Sequence, residues 1–122
     1  MSTAKKILVV EDDDVTRELM RMTLERQGYD VTVAEDGIKA YDLVVGLRPD
    51  LIITDISMPL ADGVHLMRRV HDTPGIERTP IIVTTGFGTG SATYSLTHGA
   101  DAYEPKPIDP ARLLKTVQRL LS

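Results

Sequence analysis

The chain has 122 residues, 42% of them apolar, a net charge of -4 and no cysteine. This length predicts a single domain over residues 1–122 with a core of its own. The lack of cysteine excludes a disulfide framework, a zinc–thiolate site and a cysteine nucleophile. The acidic balance and scattered basic residues argue against direct binding to nucleic acid or to anionic lipid. Neither a membrane span nor a signal peptide is recognisable, so we expect a cytoplasmic protein.

Short apolar runs that predict strands alternate with helical patterns along the chain. The predicted strands cover residues 7–10, 31–34, 51–54 and 81–84, with a short fifth strand around 102–103. The first, third and fourth runs are continuously apolar, which is typical of strands covered on both faces. Val31, Thr32 and Val33 alternate in polarity, and this pattern favours an edge strand.

Apolar residues at helical spacing predict helices between these strands. The stripes are Val15, Leu19 and Met22 with Met20 and Leu24 in the first helix; Ile38, Tyr41, Val44 and Val45 in the second; Val64, Leu66, Met67 and Val70 in the third; and Leu113, Leu114, Val117, Leu120 and Leu121 in the last. Asp13 and Asp14 precede the first helix, and Asp14 is favoured as its N-cap, while Asp109 is the expected N-cap of the last helix. Gly46 and Pro49 are expected to end the second helix. A fourth helix between Gly86 and Gly99 is expected to be weak because glycine disfavours helix.

Strands and helices in this alternating order predict an α/β fold. Its doubly wound parallel sheet would be covered on its two faces by five helices in total. Ligands of such sheets bind beyond the carboxyl ends of the strands. Acidic residues follow two of these ends: the run that begins with Glu11 and Asp12 follows the first strand, and Asp55 ends the third. Carboxylates that meet there repel one another unless a cation neutralises them. The sequence therefore predicts a divalent metal, with one carboxylate left to react.

These residues, in this order, resemble the receiver domain of bacterial two-component response regulators, the chemotaxis-regulator-like family. The resemblance extends from Lys6 to Leu121 and implies a flavodoxin-like sheet with strand order 2-1-3-4-5. It rests on Val10-Glu11-Asp12-Asp13, Thr54-Asp55-Ile56-Ser57-Met58-Pro59, Asp62-Gly63, Thr84-Thr85-Gly86, Gly99-Ala100-Asp101-Ala102-Tyr103 and Lys106-Pro107.

The resemblance implies that Asp55 accepts a phosphoryl group from a histidine kinase or a histidine phosphotransfer protein. It implies that Glu11, Asp12 and Asp55 hold Mg²⁺, with the backbone carbonyl of Ser57 as a further ligand. Mn²⁺ could substitute for Mg²⁺. Both ions prefer the hard oxygen ligands that these residues offer.

Three further roles are implied by the same resemblance. The Thr85 hydroxyl would bind a phosphoryl oxygen, and Lys106 would supply a compensating cation. Tyr103 would change its rotamer when Thr85 moves. The Lys106-Pro107 peptide bond is expected to be cis.

The function implied is a stand-alone phosphorylation-activated signalling switch, which catalyses only its own phosphotransfer and dephosphorylation and is not a metabolic enzyme. A downstream protein would bind the face formed by the fourth helix, the fifth strand and the last helix. Alternatives are a receiver-like module that works without phosphorylation and a hydrolase that forms an aspartyl phosphate. The hydrolase is disfavoured because Ser57 stands where such enzymes need a second Asp. A flavin mononucleotide carrier is also disfavoured, since the acidic first loop would repel a phosphate.

Overall fold

The computed structural model describes residues 4–55, 63–86 and 99–122. Ser57 and the segment in which the fourth helix is predicted therefore lie outside the described residues. The described part contains β1 (Lys6–Val10), α1 (Asp14–Glu25), β2 (Asp30–Ala34), α2 (Gly37–Leu47), β3 (Leu51–Asp55), α3 (Gly63–His71), β4 (Ile81–Thr85), β5 (Ala102–Pro105) and α4 (Pro110–Leu121). None of these helices is long and apolar enough to cross a membrane.

The five strands form one parallel sheet in the order β2-β1-β3-β4-β5. The predicted fold class and strand order are thus confirmed. The described residues contain four helices, one fewer than predicted. All residues of β3 and β4 are buried, as their continuous apolar runs predict, and the alternating β2 lies at an edge.

Apolar side chains fill both faces of the sheet, because successive residues of a strand point to opposite sides. On one face Leu8, Val10, Ile52 and Val83 pack with residues of α2 and α3. On the other face Ile7, Val9, Ile53 and Ile82 pack with residues of α1 and α4. Each fully buried Leu or Ile side chain contributes roughly 1.5–3 kcal/mol. The two cores hold the strand ends in register, and that register positions the site.

The buried face of α1 differs from the predicted stripe. Val15, Leu19 and Met22 are 78%, 39% and 42% exposed, whereas Met20 and Leu24 are fully buried. The helix carries apolar residues on two adjacent faces, and their spacing alone does not decide which face meets the sheet. The prediction joined both faces into one stripe and was wrong for the outer one.

Two helix ends also differ from the prediction. Asp13, rather than Asp14, is the N-cap of α1, and its carboxylate accepts a 2.8 Å hydrogen bond from the Thr16 amide. Helix α2 continues through Gly46 to Leu47 and ends at Arg48, whose φ of 50° is left-handed. A glycine near the end of a helical pattern is thus tolerated inside α2. The predicted N-cap of α4, Asp109, is confirmed.

Candidate functional site

Acidic side chains from two neighbouring strand ends meet at the carboxyl edge of the sheet. Strands β1 and β3 are adjacent, with Val10 opposite Thr54, so the residues that follow lie side by side. One carboxylate oxygen from each of Glu11, Asp12 and Asp55 lies within 4.8 Å of the other two. Glu11 is fully buried and Asp55 is 4% exposed, while Asp12 faces solvent. The predicted acidic cluster therefore forms, and one of its members is accessible to an incoming ion.

Backbone contacts hold Glu11 in this position. Its amide donates a 3.0 Å hydrogen bond to the Ala34 carbonyl at the end of β2. Its Oε2 accepts a 3.1 Å hydrogen bond from the Asp13 amide, and its carbonyl accepts a 2.9 Å bond from Arg17 Nη1. The loop between β1 and α1 is thereby tied to the sheet on one side and to the helix on the other.

Lys106 brings a cation between two of the carboxylates. Its Nζ donates a 2.7 Å hydrogen bond to Asp55 Oδ2 and lies 2.7 Å from Glu11 Oε1. Its backbone amide donates a 3.0 Å hydrogen bond to the Thr85 carbonyl, which joins the segment after β5 to the end of β4. The Lys106-Pro107 peptide bond is cis, as predicted.

Burial and charge shift the protonation of this cluster. Burial raises the pKa of the Glu11 carboxyl to about 7, although Lys106 and the Asp13 amide partly offset this rise. Desolvation opposes the charge on Lys106, but its hydrogen bond to Asp55 and its close ion pair with Glu11 outweigh that effect and raise its pKa above the ordinary value. Lys106 is therefore fully charged near pH 7, whereas Glu11 is close to its midpoint.

The donor set fits a hard divalent cation. Three carboxylates converge, and the buried Oε1 of Glu11 accepts no aligned hydrogen bond from the residues that the structure describes. This oxygen forms a 2.7 Å ion pair with Lys106. Mg²⁺ needs only one or two carboxylates because it keeps several of its waters. Glu11, Asp12 and Asp55 could therefore hold it, with Asp12 as the exposed entry point.

Thr85 and Tyr103 lie on the neighbouring strands β4 and β5. Thr85 is fully buried at the end of β4, and Tyr103 is partly buried on β5 opposite Val83. Because Val83 and Thr85 are two residues apart on one strand, Thr85 and Tyr103 face the same side of the sheet. This arrangement is compatible with the predicted coupling of the two side chains, and the rotamer change itself stays a prediction.

The sequence analysis missed a row of buried polar residues next to the cluster. Asp55 pairs in register with Thr84, and Thr84 pairs with Glu104 on β5. Both new residues are buried, and no described residue hydrogen-bonds the Thr84 hydroxyl. A glutamate in a short strand suggests a solvent-exposed position. The available signal was the alternation on β5, which puts Glu104 on the same face as the buried Ala102.

Comparisons with known proteins decide the family. Residues 7–118 match the family described as the response regulator receiver domain. The chain belongs to that family. Its curated relatives include the response regulator MprA of Mycobacterium sp. (strain KMS), which is 37% identical over 116 residues. That match covers 95% of this chain and 50% of the relative, so the chain spans about half the length of the curated relatives it matches.

Solved structures of receiver domains closely resemble this one. The chemotaxis response regulator CheY4 of Vibrio cholerae has a TM-score of 0.91 at 33% identity, with 98% of this chain and 100% of that chain covered. The receiver domain of the sensor histidine kinase PA1611 from Pseudomonas aeruginosa PAO1 has a TM-score of 0.90 at 31% identity, with 98% of both chains covered. That second structure has a magnesium ion coordinated in its active site cleft. The predicted family and fold are confirmed by these matches.

Proposed function

We propose that this receiver domain is a phosphorylation-activated switch in which Asp55 is the phosphoacceptor. The observation that carries the proposal is the position of Asp55. Its Oδ2 accepts a 2.7 Å hydrogen bond from Lys106, and one of its carboxylate oxygens lies within 4.8 Å of oxygens from Glu11 and Asp12. A carboxylate that is buried, oriented by a cation and grouped with other acids is suited to react with an electrophilic phosphorus.

The proposed reaction is a direct displacement at phosphorus. An oxygen of Asp55 forms the new bond to phosphorus while the bond from phosphorus to the donor's histidine nitrogen breaks. The leaving imidazole keeps the bonding electron pair and takes up a proton. Such transfers depend on alignment and on neutralisation of the phosphoryl oxygens. Lys106 supplies one positive charge at this place, and the Thr85 hydroxyl would donate a hydrogen bond to the transferred group.

Glu11, Asp12 and Asp55 would hold Mg²⁺, together with the Ser57 carbonyl that lies outside the described residues. When bound, the ion neutralises phosphoryl charge and brings the donor and the acceptor together. Its solved relative with magnesium in the active site cleft supports the choice of metal. In the absence of metal, Lys106 partly neutralises the Glu11 and Asp55 carboxylates.

The acyl phosphate carries about -1.5 to -2 charges on its phosphoryl oxygens, in place of the single negative charge of the Asp55 carboxylate. This charge would draw the Thr85 hydroxyl towards the phosphoryl oxygens. Tyr103, on the same side of the sheet, would then enter the space that Thr85 leaves. The surface near β5 and α4 would change, and a downstream protein would bind there. We propose a histidine kinase or a histidine phosphotransfer protein as the donor.

Intact-mass spectrometry after treatment with acetyl phosphate tests the proposal. We expect one phosphoryl group to be gained in the presence of Mg²⁺, and none after chelation or in Asp55→Asn. The matched control is Asp50→Asn, since Asp50 accepts a 2.8 Å hydrogen bond from the Lys6 amide at the opposite edge of the sheet. This control should be phosphorylated normally. Phosphoryl gain in Asp55→Asn, or gain that is unaffected by chelation, would rule out the proposed site.

A further inference from the structure

Glu104 is a buried carboxylate that the proposed reaction does not use. It is 5% exposed and lies in the polar row that runs from Asp55 through Thr84. Ala102, two residues earlier on β5, packs in the core under α1 and α4, so Glu104 points to that same face. A buried carboxylate normally needs a charged or hydrogen-bonding partner. The residues that pair with Glu104 therefore affect the neighbouring cluster of Glu11, Asp12 and Asp55.

Lys106 follows Glu104 by only two positions. Residues two apart on an extended chain are separated by roughly 6.6 Å, a distance that a lysine side chain can span. Lys106 also reaches Asp55, which belongs to the same polar row as Glu104. Glu104 can therefore compete with Asp55 and Glu11 for an ion pair with the Lys106 ammonium.

Residues of helix α4 contact both carboxylate oxygens of Glu104. Arg112 Nε lies 3.5 Å from Glu104 Oε1, and the Thr116 hydroxyl donates a 2.7 Å hydrogen bond to Oε2. Arg112 and Thr116 are four residues apart, so they lie on one face of the helix. Glu104 is thus paired with a cation and accepts a hydrogen bond from α4, while Lys106 contacts Asp55 and Glu11.

We propose that Arg112 and Thr116 bind Glu104 and thereby prevent it from binding Lys106. Lys106 then stays in contact with the carboxylates of Asp55 and Glu11. Arg112 and Thr116 are positioning residues, since they would act on the reaction through Glu104 and Lys106. The Arg112 side chain is 60% exposed, so the contact by which Arg112 competes with Lys106 for Glu104 lies at the surface of α4. The effect on phosphorylation rests on the proposed function, whereas the effect on metal binding requires only the acidic cluster.

The proposal predicts opposite changes in two measurements when Arg112 is removed. In Arg112→Met, Glu104 draws Lys106 away, so the Asp55 and Glu11 carboxylates are less neutralised. Mg²⁺, titrated alone by calorimetry, should bind about three- to tenfold more tightly, and phosphorylation by acetyl phosphate should be slower by a similar factor, as for partial loss of a charge-assisted hydrogen bond. General loosening of the fold would instead weaken both.

Charge removal from Glu104 should suppress the defect. Glu104→Gln keeps an acceptor for Thr116 but no longer competes for Lys106, so the double variant Glu104→Gln/Arg112→Met should return to within about twofold of the starting protein in both assays. The double variant also restores the original net charge. Arg119→Met is the matched control, because Arg119 is an exposed arginine of α4 seven residues further along. It should leave both measurements unchanged.

Several outcomes would overturn the proposal. They are an Arg112→Met variant that behaves like the Arg119→Met control, weaker Mg²⁺ binding in Arg112→Met, or a double variant as impaired as Arg112→Met alone. If the starting protein is not phosphorylated at all, the proposed function fails. The calorimetric titrations of the starting protein and the three variants would still decide whether Arg112 controls the position of Lys106.

Discussion

Acidification should release Mg²⁺ from this domain at an unusually high pH. The responsible group is Glu11, because burial raises the pKa of its carboxyl from 4.5 to about 7 in the metal-free protein. A protonated carboxyl is a poor metal ligand, so Mg²⁺ and the proton compete for Glu11. We expect Mg²⁺ affinity to be highest above pH 8 and to fall as the pH drops through 7.

The size of the effect follows from the fraction of Glu11 that is ionised. At pH 5, two pH units below its pKa, about 1% of the side chain is ionised, so binding that requires the carboxylate weakens about 100-fold. A glutamate with the ordinary pKa of 4.5 would be mostly ionised at pH 5, and the affinity would hardly change. The range between pH 5 and pH 8 therefore separates the two cases.

The same shift makes the metal-free fold less stable as the pH rises. The folded state binds the Glu11 proton more tightly than the unfolded state, so the stabilisation is complete below pH 4.5 and is lost as the pH rises through 7. The rise in pKa from 4.5 to about 7 corresponds to about 3.5 kcal/mol, at roughly 1.4 kcal/mol for each pH unit. Mg²⁺ should reverse this loss by binding the ionised site.

Calorimetric Mg²⁺ titrations at several pH values, together with urea unfolding in a chelator, measure both effects. Glu11→Gln is the control: it should bind Mg²⁺ more weakly than the starting protein, with little pH dependence between 5 and 8. Its free energy of unfolding should also lack the pH-dependent stabilisation that the Glu11 proton provides. An affinity in the starting protein that is flat from pH 5 to pH 8 would refute the reasoning, as would an equally steep pH dependence in Glu11→Gln.

Three further predictions concern single side chains. Lys106→Met should slow phosphorylation by acetyl phosphate about tenfold or more, because a hydrogen bond to a charged group contributes roughly 1.5–3 kcal/mol. The same variant should bind Mg²⁺ more tightly in calorimetry. Weaker Mg²⁺ binding would argue against competition between the lysine and the ion. Leu24→Ala should lower the free energy of unfolding in urea by about 2–5 kcal/mol, whereas the half-exposed Leu19→Ala should cost much less, and equal losses would contradict the observed face of α1. Asp13→Ala should lower the thermal midpoint more than Asp14→Ala, since only Asp13 caps the Thr16 amide; the reverse order would restore the cap predicted from the sequence.

Much of the architecture could be predicted because its signals are local. Continuous apolar runs identify β1, β3 and β4, and alternation identifies β2 as an edge strand, because side-chain direction repeats every two residues. The acidic residues directly after β1 and β3 predict a charged cluster once these strands are neighbours. These features depend on short stretches of chain, and the structure confirms the sheet and brings Glu11, Asp12 and Asp55 together.

By itself, the sequence determined the order of the strands and helices, the acidic ends of β1 and β3, and the family resemblance. Only the tertiary structure decided that α1 buries Met20 and Leu24, that Lys106 bridges Asp55 and Glu11, and that Glu104 is enclosed by α4. Burial and charge pairing depend on segments that are distant in the chain. A residue's own neighbours in the sequence therefore do not specify which helix face is covered, which carboxyl is desolvated or which acid holds a given lysine.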